Sequence, residues 1–165
     1  MTEYHAYQDL ARYPIELDVR ERLFAAQTEC AVVWTTRDGW PIGVIHWFVW
    51  HNERFWVTST SERLRVAALR ARPRACVIVS SAGTDLRPNR SVSAKTLATV
   101  HDDDETKGWF FPALAAKAFP GSPRRADHFE RMLLGTSRVA IELEPVRFSS
   151  YDGLMMTAAI AGARE

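Results

Sequence analysis

The sequence predicts a mainly β protein, a small antiparallel barrel with peripheral helices, formed as a single domain over residues 1–165. Three observations predict it. Short β-branched and aromatic runs recur along the chain, turn residues separate neighbouring runs, and strands do not alternate regularly with helices as in parallel sheets. With 165 residues, 47% of them apolar, the chain can form a sizeable core.

One helix and three strands are predicted in the first part of the chain. Apolar residues at helical spacing indicate a helix over about residues 17–28. A strand over residues 31–36, where the barrel core begins, reaches a hairpin signal at Asp38-Gly39. The next strand, residues 42–50, is apolar on both faces, so it needs cover from the barrel interior and from a partner subunit or a flat ligand. The third strand covers residues 55–60.

The remaining pattern predicts a barrel core that extends to about residue 151. The predicted elements are a helix over 62–71, strands over 74–81 and 91–101, helices over 105–119 and 125–134, and strands over 137–144 and 148–151. The first of these helices ends before Pro73, which disfavours helical geometry in the preceding residue. The acidic run after His101 is interpreted as a helix cap and first turn, because adjacent side chains on an extended chain point in alternate directions and seldom converge on a metal ion.

Hydroxyl and basic side chains surround the start of the helix predicted at residue 62. They are Thr58, Ser59, Thr60, Ser61, Arg63 and Arg65. The first N–H groups of a helix have no internal partners, and cations near them oppose the helix dipole unless an anion binds there. The pattern therefore predicts an anion site. We expect the chain to leave strand geometry between residues 59 and 61, and Ser61 to cap the helix.

Several function classes lack their sequence signatures. The net charge is +1, and the arginines of residues 63–90 do not share one face, so a nucleic-acid partner is not indicated. Cys30 and Cys76 are interpreted as reduced core thiols, and no ligand spacing indicates a metal. No nucleophile elbow or phosphate-binding glycine loop occurs. The chain shows neither a signal core nor an apolar run that could cross a membrane, so we expect a cytoplasmic location.

The order of motifs between Cys30 and Pro73 carries a family resemblance. These motifs are Asp38-Gly39-Trp40-Pro41, the apolar strand that follows, Trp56-Val-Thr-Ser-Thr60 and the helical segment that ends at Pro73-Arg74. In this order and spacing they resemble the pyridoxamine 5′-phosphate oxidase-like superfamily, the FMN-binding split β-barrels. A looser similarity extends to Tyr151.

The resemblance implies a homodimer with two cofactors at the subunit interface. The ring system is expected against the second strand, at Gly43, Val44, Ile45, His46 and Trp47. The phosphate is expected at Thr58, Ser59, Thr60 and a basic residue of the next helix. Arg65 matches the family position for that residue and is favoured over Arg63, which lies about 200° away around a helix. Tyr151 matches an aromatic that borders the cofactor from the partner subunit.

The resemblance also implies an FMN-dependent oxidoreductase that acts on a small molecule, with no catalytic residue or substrate identified. Arg65 stands where the family usually has lysine, and Ala67 and Ala68 lack the family's polar contacts. Two alternatives therefore stay open. One is a deazaflavin-dependent reductase on the same fold. The other is a non-catalytic protein that binds a flavin or haem.

Overall fold

Seven strands and five helices make up the part of the chain that the structure describes. The computed structural model describes residues 12–86 and 89–162. In chain order the elements are α1 (Leu17–Ala26), β1 (Glu29–Thr35), β2 (Pro41–Trp47), β3 (Val49–His51), β4 (Arg54–Thr60), α2 (Leu64–Ala71), β5 (Arg74–Ser80), β6 (Arg90–His101), α3 (Asp104–Ala118), α4 (Pro123–Leu134), β7 (Arg138–Asp152) and α5 (Gly153–Gly162). No helix in the described part of the chain has both the length and the apolar character needed to span a bilayer.

A single residue joins the two edges of the sheet. The strands form one antiparallel sheet in the order β2-β1-β5-β6-β7-β4-β3, so β2 and β3 lie at opposite edges although only Phe48 separates them in sequence. The sheet must therefore curl until its edges meet. Phe48 is fully buried at this corner, and its N–H donates to the Thr28 carbonyl over 3.1 Å. The result is the predicted antiparallel split barrel.

The corner at Phe48 corrects the prediction of one strand over residues 42–50. Up to Trp47 the chain pairs with β1, and from Val49 onward it pairs with β4. The apolar pattern continues through the corner because both pieces line the same interior. The pattern alone therefore could not show that the pairing partner changes.

Two apolar clusters stabilise the sheet on its two faces. The barrel interior is filled by residues from every strand together with α1 and α2, including Phe24, Phe55 and Leu69. Outside, α3 and α4 cover the β4–β7 part of the sheet through a second cluster around Trp56 and Phe110. Burial on both faces explains why Ala140, which points away from the barrel interior, is fully buried.

Local signals account for the β1–β2 turn and for the start of α3. Gly39 adopts φ +89° in the predicted β1–β2 hairpin. Asp103 caps α3 by accepting a hydrogen bond from the Thr106 N–H over 2.7 Å, as the sequence indicates. The α1 helix ends two residues earlier than predicted, because the Gln27 side chain turns away to donate to the Ser80 and Ala82 carbonyls.

Other elements also differ from the predictions. The strands predicted over residues 137–144 and 148–151 are one strand, β7, which follows β6 through an irregularity at Lys95/Thr96. The α4 helix begins at Pro123 and not at Arg125, since proline suits the first turn of a helix. The α5 helix was not predicted, because its apolar residues show no helical periodicity.

Candidate functional site

The β2 strand presents its two sides to different surroundings. It pairs only with β1, and antiparallel partners share a face, so Gly43, Ile45 and Trp47 lie on the outer side of the barrel. Ile45 is 60% exposed there. Val44 and His46 point to the other side and are half-buried. The five residues predicted to contact a ring system therefore do not share one surface.

Gly43 keeps the outer side of β2 flat. A Cβ built at this position would lie 3.1 Å from Cγ2 of Val33 on β1, closer than ordinary van der Waals contact. The neighbouring backbone is exposed. A planar group could therefore approach the β2 backbone at Gly43 more closely than at any position that carries a side chain.

A gap lies between β2 and the last part of β4. β3 pairs only with residues 54–56 of β4, so residues 57–60 have one edge without a strand partner. His46 of β2 reaches that edge through a hydrogen bond to the Thr58 backbone. This gap, bordered by His46, Thr58 and Thr60, is called the barrel split below.

The hydroxyl groups beside the barrel split point in alternate directions. Ser59 is only 4% exposed, and its hydroxyl donates to the Thr60 carbonyl over 3.3 Å on the interior side. Thr58 lies on the other side and donates to the Val139 carbonyl over 2.9 Å. Thr60 shares the side of Thr58, where β7 places Arg138 beside it. Only Thr58 and Thr60 can present side chains to a ligand here.

The chain leaves strand geometry after Thr60, within the interval predicted from the sequence. The prediction that Ser61 caps the next helix is wrong. The α2 helix begins at Leu64, its N-cap residue is Arg63, and no side chain caps it. The Ser61 N–H donates to the Ser137 carbonyl instead, and the chain makes a turn before the helix. Arg63 therefore precedes the helix and does not lie in its first turn, where the sequence pattern placed it.

Three arginines converge at the barrel split. Arg65 places Nη1 3.0 Å from Nε2 of His46, with its guanidinium 5.8 Å from the Trp34 ring centre. Burial and the charge of Arg63 lower the pKa values of both Arg65 and Arg138. Arg138 was not predicted as a site residue, because nothing in the strand pattern shows that β7 lies beside β4.

This positive charge has no counterpart among the described residues. None of their ion pairs involves Arg63, Arg65 or Arg138. The buried Nε of Arg138 has no hydrogen-bond partner. Glu62, the nearby carboxylate in the sequence, accepts from the Ser137 hydroxyl over 3.3 Å. A cluster of cations with an unsatisfied donor fits a multiply charged anion such as a phosphate.

His46 is neutral in this arrangement. Burial, and then the positive charge of Arg65, lower the pKa of His46 from 6.5 to about 4, against the opposing effect of the hydrogen bond to Thr58. A guanidinium can only donate, so Nε2 accepts from Arg65 and the ring proton lies on Nδ1. His46 therefore orients Arg65 without adding charge to the site.

This protonation state leads to a pH prediction. We expect the His46 ring not to titrate between pH 5 and 8 in a histidine NMR titration. Because the folded protein binds this proton less tightly than the unfolded chain, the free energy of unfolding should fall by up to about 3 kcal/mol as pH drops from about 6.5 to about 4. In Arg65→Met the pKa of His46 should rise. A midpoint near 6.5 in the unmodified protein would contradict the arrangement.

Tyr151 lies away from the barrel split within one chain. It is at the opposite end of β7 from Arg138, thirteen residues away, which corresponds to roughly 40 Å along a strand. Its hydroxyl contacts Sδ of Met156 over 3.2 Å. Tyr151 could therefore border this site only in another subunit, the role that the family resemblance implied for it.

The acidic run after β6 has structural contacts. Asp102 pairs with Lys107, Asp103 caps α3, and His101 lies 2.8 Å from Glu142. Among the described residues no group of three histidine, cysteine or acidic side chains could hold a metal ion. Cys30 and Cys76 are both free thiols.

The comparisons with known proteins identify the family. The model of the pyridoxamine 5′-phosphate oxidase family matches residues 19–150, and the chain belongs to that family. This confirms the resemblance carried by the motifs from Cys30 onward. No curated protein sequence matches the chain.

Solved structures show the same fold at low sequence identity. A conserved hypothetical protein from Mycobacterium tuberculosis is 16% identical, with 86% of this chain and 88% of that chain covered and a TM-score of 0.74. A protein described as F420 reductase is 22% identical, with 78% and 94% covered and a TM-score of 0.59. The haem storage protein HutZ from Vibrio cholerae is 13% identical, with 83% and 94% covered and a TM-score of 0.60.

Proposed function

We propose that the protein is a dimeric, FMN-dependent oxidoreductase that acts on a small-molecule substrate. The observation that carries the proposal is the unpaired arginine cluster at the barrel split, beside the flat outer side of β2. Arg65, Arg63 and Arg138 would bind the cofactor phosphate together with the Thr60 hydroxyl. The Thr58 hydroxyl would join them by turning away from the Val139 carbonyl, and Ser59 would contribute only backbone. A single phosphate carries enough negative charge to make this cluster favourable.

The chain would position the ring and exclude water from it. Gly43 allows a flat group to approach the β2 backbone. The side chains of Ile45 and Trp47 would pack against the apolar part of that group. A bound flavin supplies the hydride chemistry itself, so the protein needs to bind and orient it. His46 would hold Arg65 in place. The partner subunit's Tyr151 would complete the enclosure.

A deazaflavin coenzyme is the second candidate. It is supported by the α2 helix, where Ala67 and Ala68 offer no polar side chain after Arg65, and by the fold shared with a protein described as F420 reductase. Haem is less well supported. Nε2 of His46 is engaged by Arg65, so this histidine has no free nitrogen for iron. The two free thiols are compatible with a reducing compartment, and we propose a cytoplasmic location.

One experiment separates the three cofactors. The protein is purified without added cofactor and denatured, and any released chromophore is identified by absorption and mass spectrometry. Release of FMN supports the proposal, release of a deazaflavin supports the second candidate, and a Soret band indicates haem. If the protein releases no chromophore and binds neither FMN nor a deazaflavin in titration, the proposed function is wrong.

We predict a homodimer in solution. Ile45, Ala31 and Ile78 are adjacent on β2, β1 and β5, and their outer side leaves both isoleucines exposed. Light scattering should give twice the chain mass of 18.7 kDa. Ile45→Glu combined with Ile78→Glu should give monomers, because charges in an apolar interface prevent its burial. Leu17→Glu, a change at an exposed leucine of α1, should leave the dimer intact. A monomeric unmodified protein would contradict the prediction.

A further inference from the structure

A second depression with basic and aromatic walls lies outside the barrel split. It encloses about 690 Å³ between the end of α3 and the outer side of α4. Its walls include Phe119, Arg124, Arg125, His128, Phe129 and Arg131. We call it the α4 pocket. Its volume is in the range of pockets that hold small organic molecules.

The arginines of the α4 pocket have no charged partner among the described residues. None of the ion pairs among the described residues involves Arg124, Arg125 or Arg131, nor the acidic Asp127 and Glu130 on the same helix. Arg124 and Arg125 lie in the first turn of α4, where the helix dipole disfavours cations. Their charge therefore does not stabilise the helix. Together the three arginines create a local excess of positive charge in a protein whose net charge is +1.

An aromatic cluster holds the floor of the α4 pocket in place. Trp47, Phe119 and Phe129 pack edge to face, with ring centres 5.1–5.7 Å apart in all three pairs. The guanidinium of Arg125 lies 4.6 Å from the centre of the Phe119 ring. This contact orients a flat cation over an apolar floor and leaves its N–H edge available to a ligand.

The arginines and the aromatic rings of the α4 pocket together favour one kind of ligand. We propose that the α4 pocket binds a small aromatic carboxylate, with the flat apolar body against Phe119 and Phe129 and the carboxylate on Arg124 and Arg125. Guanidinium groups bind carboxylates bidentately, and aromatic floors favour flat apolar groups. The site is separate from the arginines of the barrel split. Trp47 connects the two, because its indole packs against Phe119 and Phe129 and its backbone belongs to β2.

The test uses the full chain and 2-naphthoate as the probe, with binding measured by isothermal titration calorimetry. Arg124→Gln combined with Arg125→Gln should weaken 2-naphthoate binding at least about tenfold, because the loss of even one hydrogen bond between charged groups weakens binding by about that factor. Arg70→Gln, a change at an exposed arginine of α2, is the matched control and should have no effect. Neutral 2-naphthylmethanol should bind more weakly than 2-naphthoate and be insensitive to the double variant.

Further arms distinguish this pocket from the proposed cofactor site. Arg65→Ala should leave 2-naphthoate binding unchanged, and the α4 double variant should leave FMN binding unchanged. The proposal is overturned if 2-naphthoate does not bind, if the double variant binds it as well as the unmodified protein, or if only Arg65→Ala reduces its binding. Equally tight binding of inorganic phosphate at the same arginines would also overturn it, because the aromatic floor would then have no role.

Discussion

Arg65→Ala is expected to weaken FMN binding by about 1.5–3 kcal/mol, the cost of losing one charge-assisted contact to phosphate. The side chain lies at the barrel split, with Nη1 on His46 and no carboxylate partner among the described residues, so its charge is available to an anion. Fluorescence titration of both proteins with FMN measures the change. The fold should survive, because Arg65 contributes its side chain to the surface of the split and not to the apolar interior.

Two controls make the Arg65 result specific. Riboflavin lacks the phosphate, so its affinity should hardly change in Arg65→Ala. Arg70→Ala removes an exposed arginine near the end of the same helix and should leave FMN binding as it is. Equal losses for FMN and riboflavin, or no loss for either, would mean that Arg65 does not bind the phosphate. Arg138→Ala should weaken FMN binding in the same direction, which tests the residue that only the fold identified.

Asp152→Asn is expected to lower the free energy of unfolding by about 3 kcal/mol. Asp152 accepts from Nε of Arg90 over 2.8 Å, and the two side chains are 8% and 14% exposed. Its other oxygen accepts from the Leu154 N–H over 2.9 Å at the start of α5. Asparagine keeps the shape but removes the charge and one of the two acceptor oxygens, so its amide can accept from Arg90 or from the Leu154 N–H but not from both. Chemical denaturation measures the loss.

The control for this variant is Asp127→Asn on the exposed side of α4, where no ion pair of the described residues is lost. Its free energy of unfolding should change by no more than about 0.5 kcal/mol. A change below about 1 kcal/mol in Asp152→Asn would show that water reaches the Arg90–Asp152 pair and that the pair contributes little.

Local chemistry was sufficient for much of the secondary structure. The glycine of the β1–β2 turn, the Asp103 cap of α3 and the alternation of β7 all act between residues close in sequence. These features predicted a hairpin, a helix start and a strand. The motif order from Cys30 to Pro73 also predicted the family. Predicted boundaries were wrong where a contact with a distant part of the chain ended an element. At the end of α1, for example, the Gln27 side chain donates to carbonyls at and just after the end of β5.

The sequence by itself determined the fold class, the basic residue Arg65 and the hydroxyls that precede it. Only the tertiary structure decided which of these groups meet. The corner at Phe48 sends β2 and β3 to opposite edges of one sheet, and the curl of that sheet then opens the split in which His46 reaches Arg65. Pairing of β4 with β7 adds Arg138, although it lies more than seventy residues from Arg65 in the chain. Such contacts depend on strand order, and strand order leaves no periodic signal in the residues that it brings together.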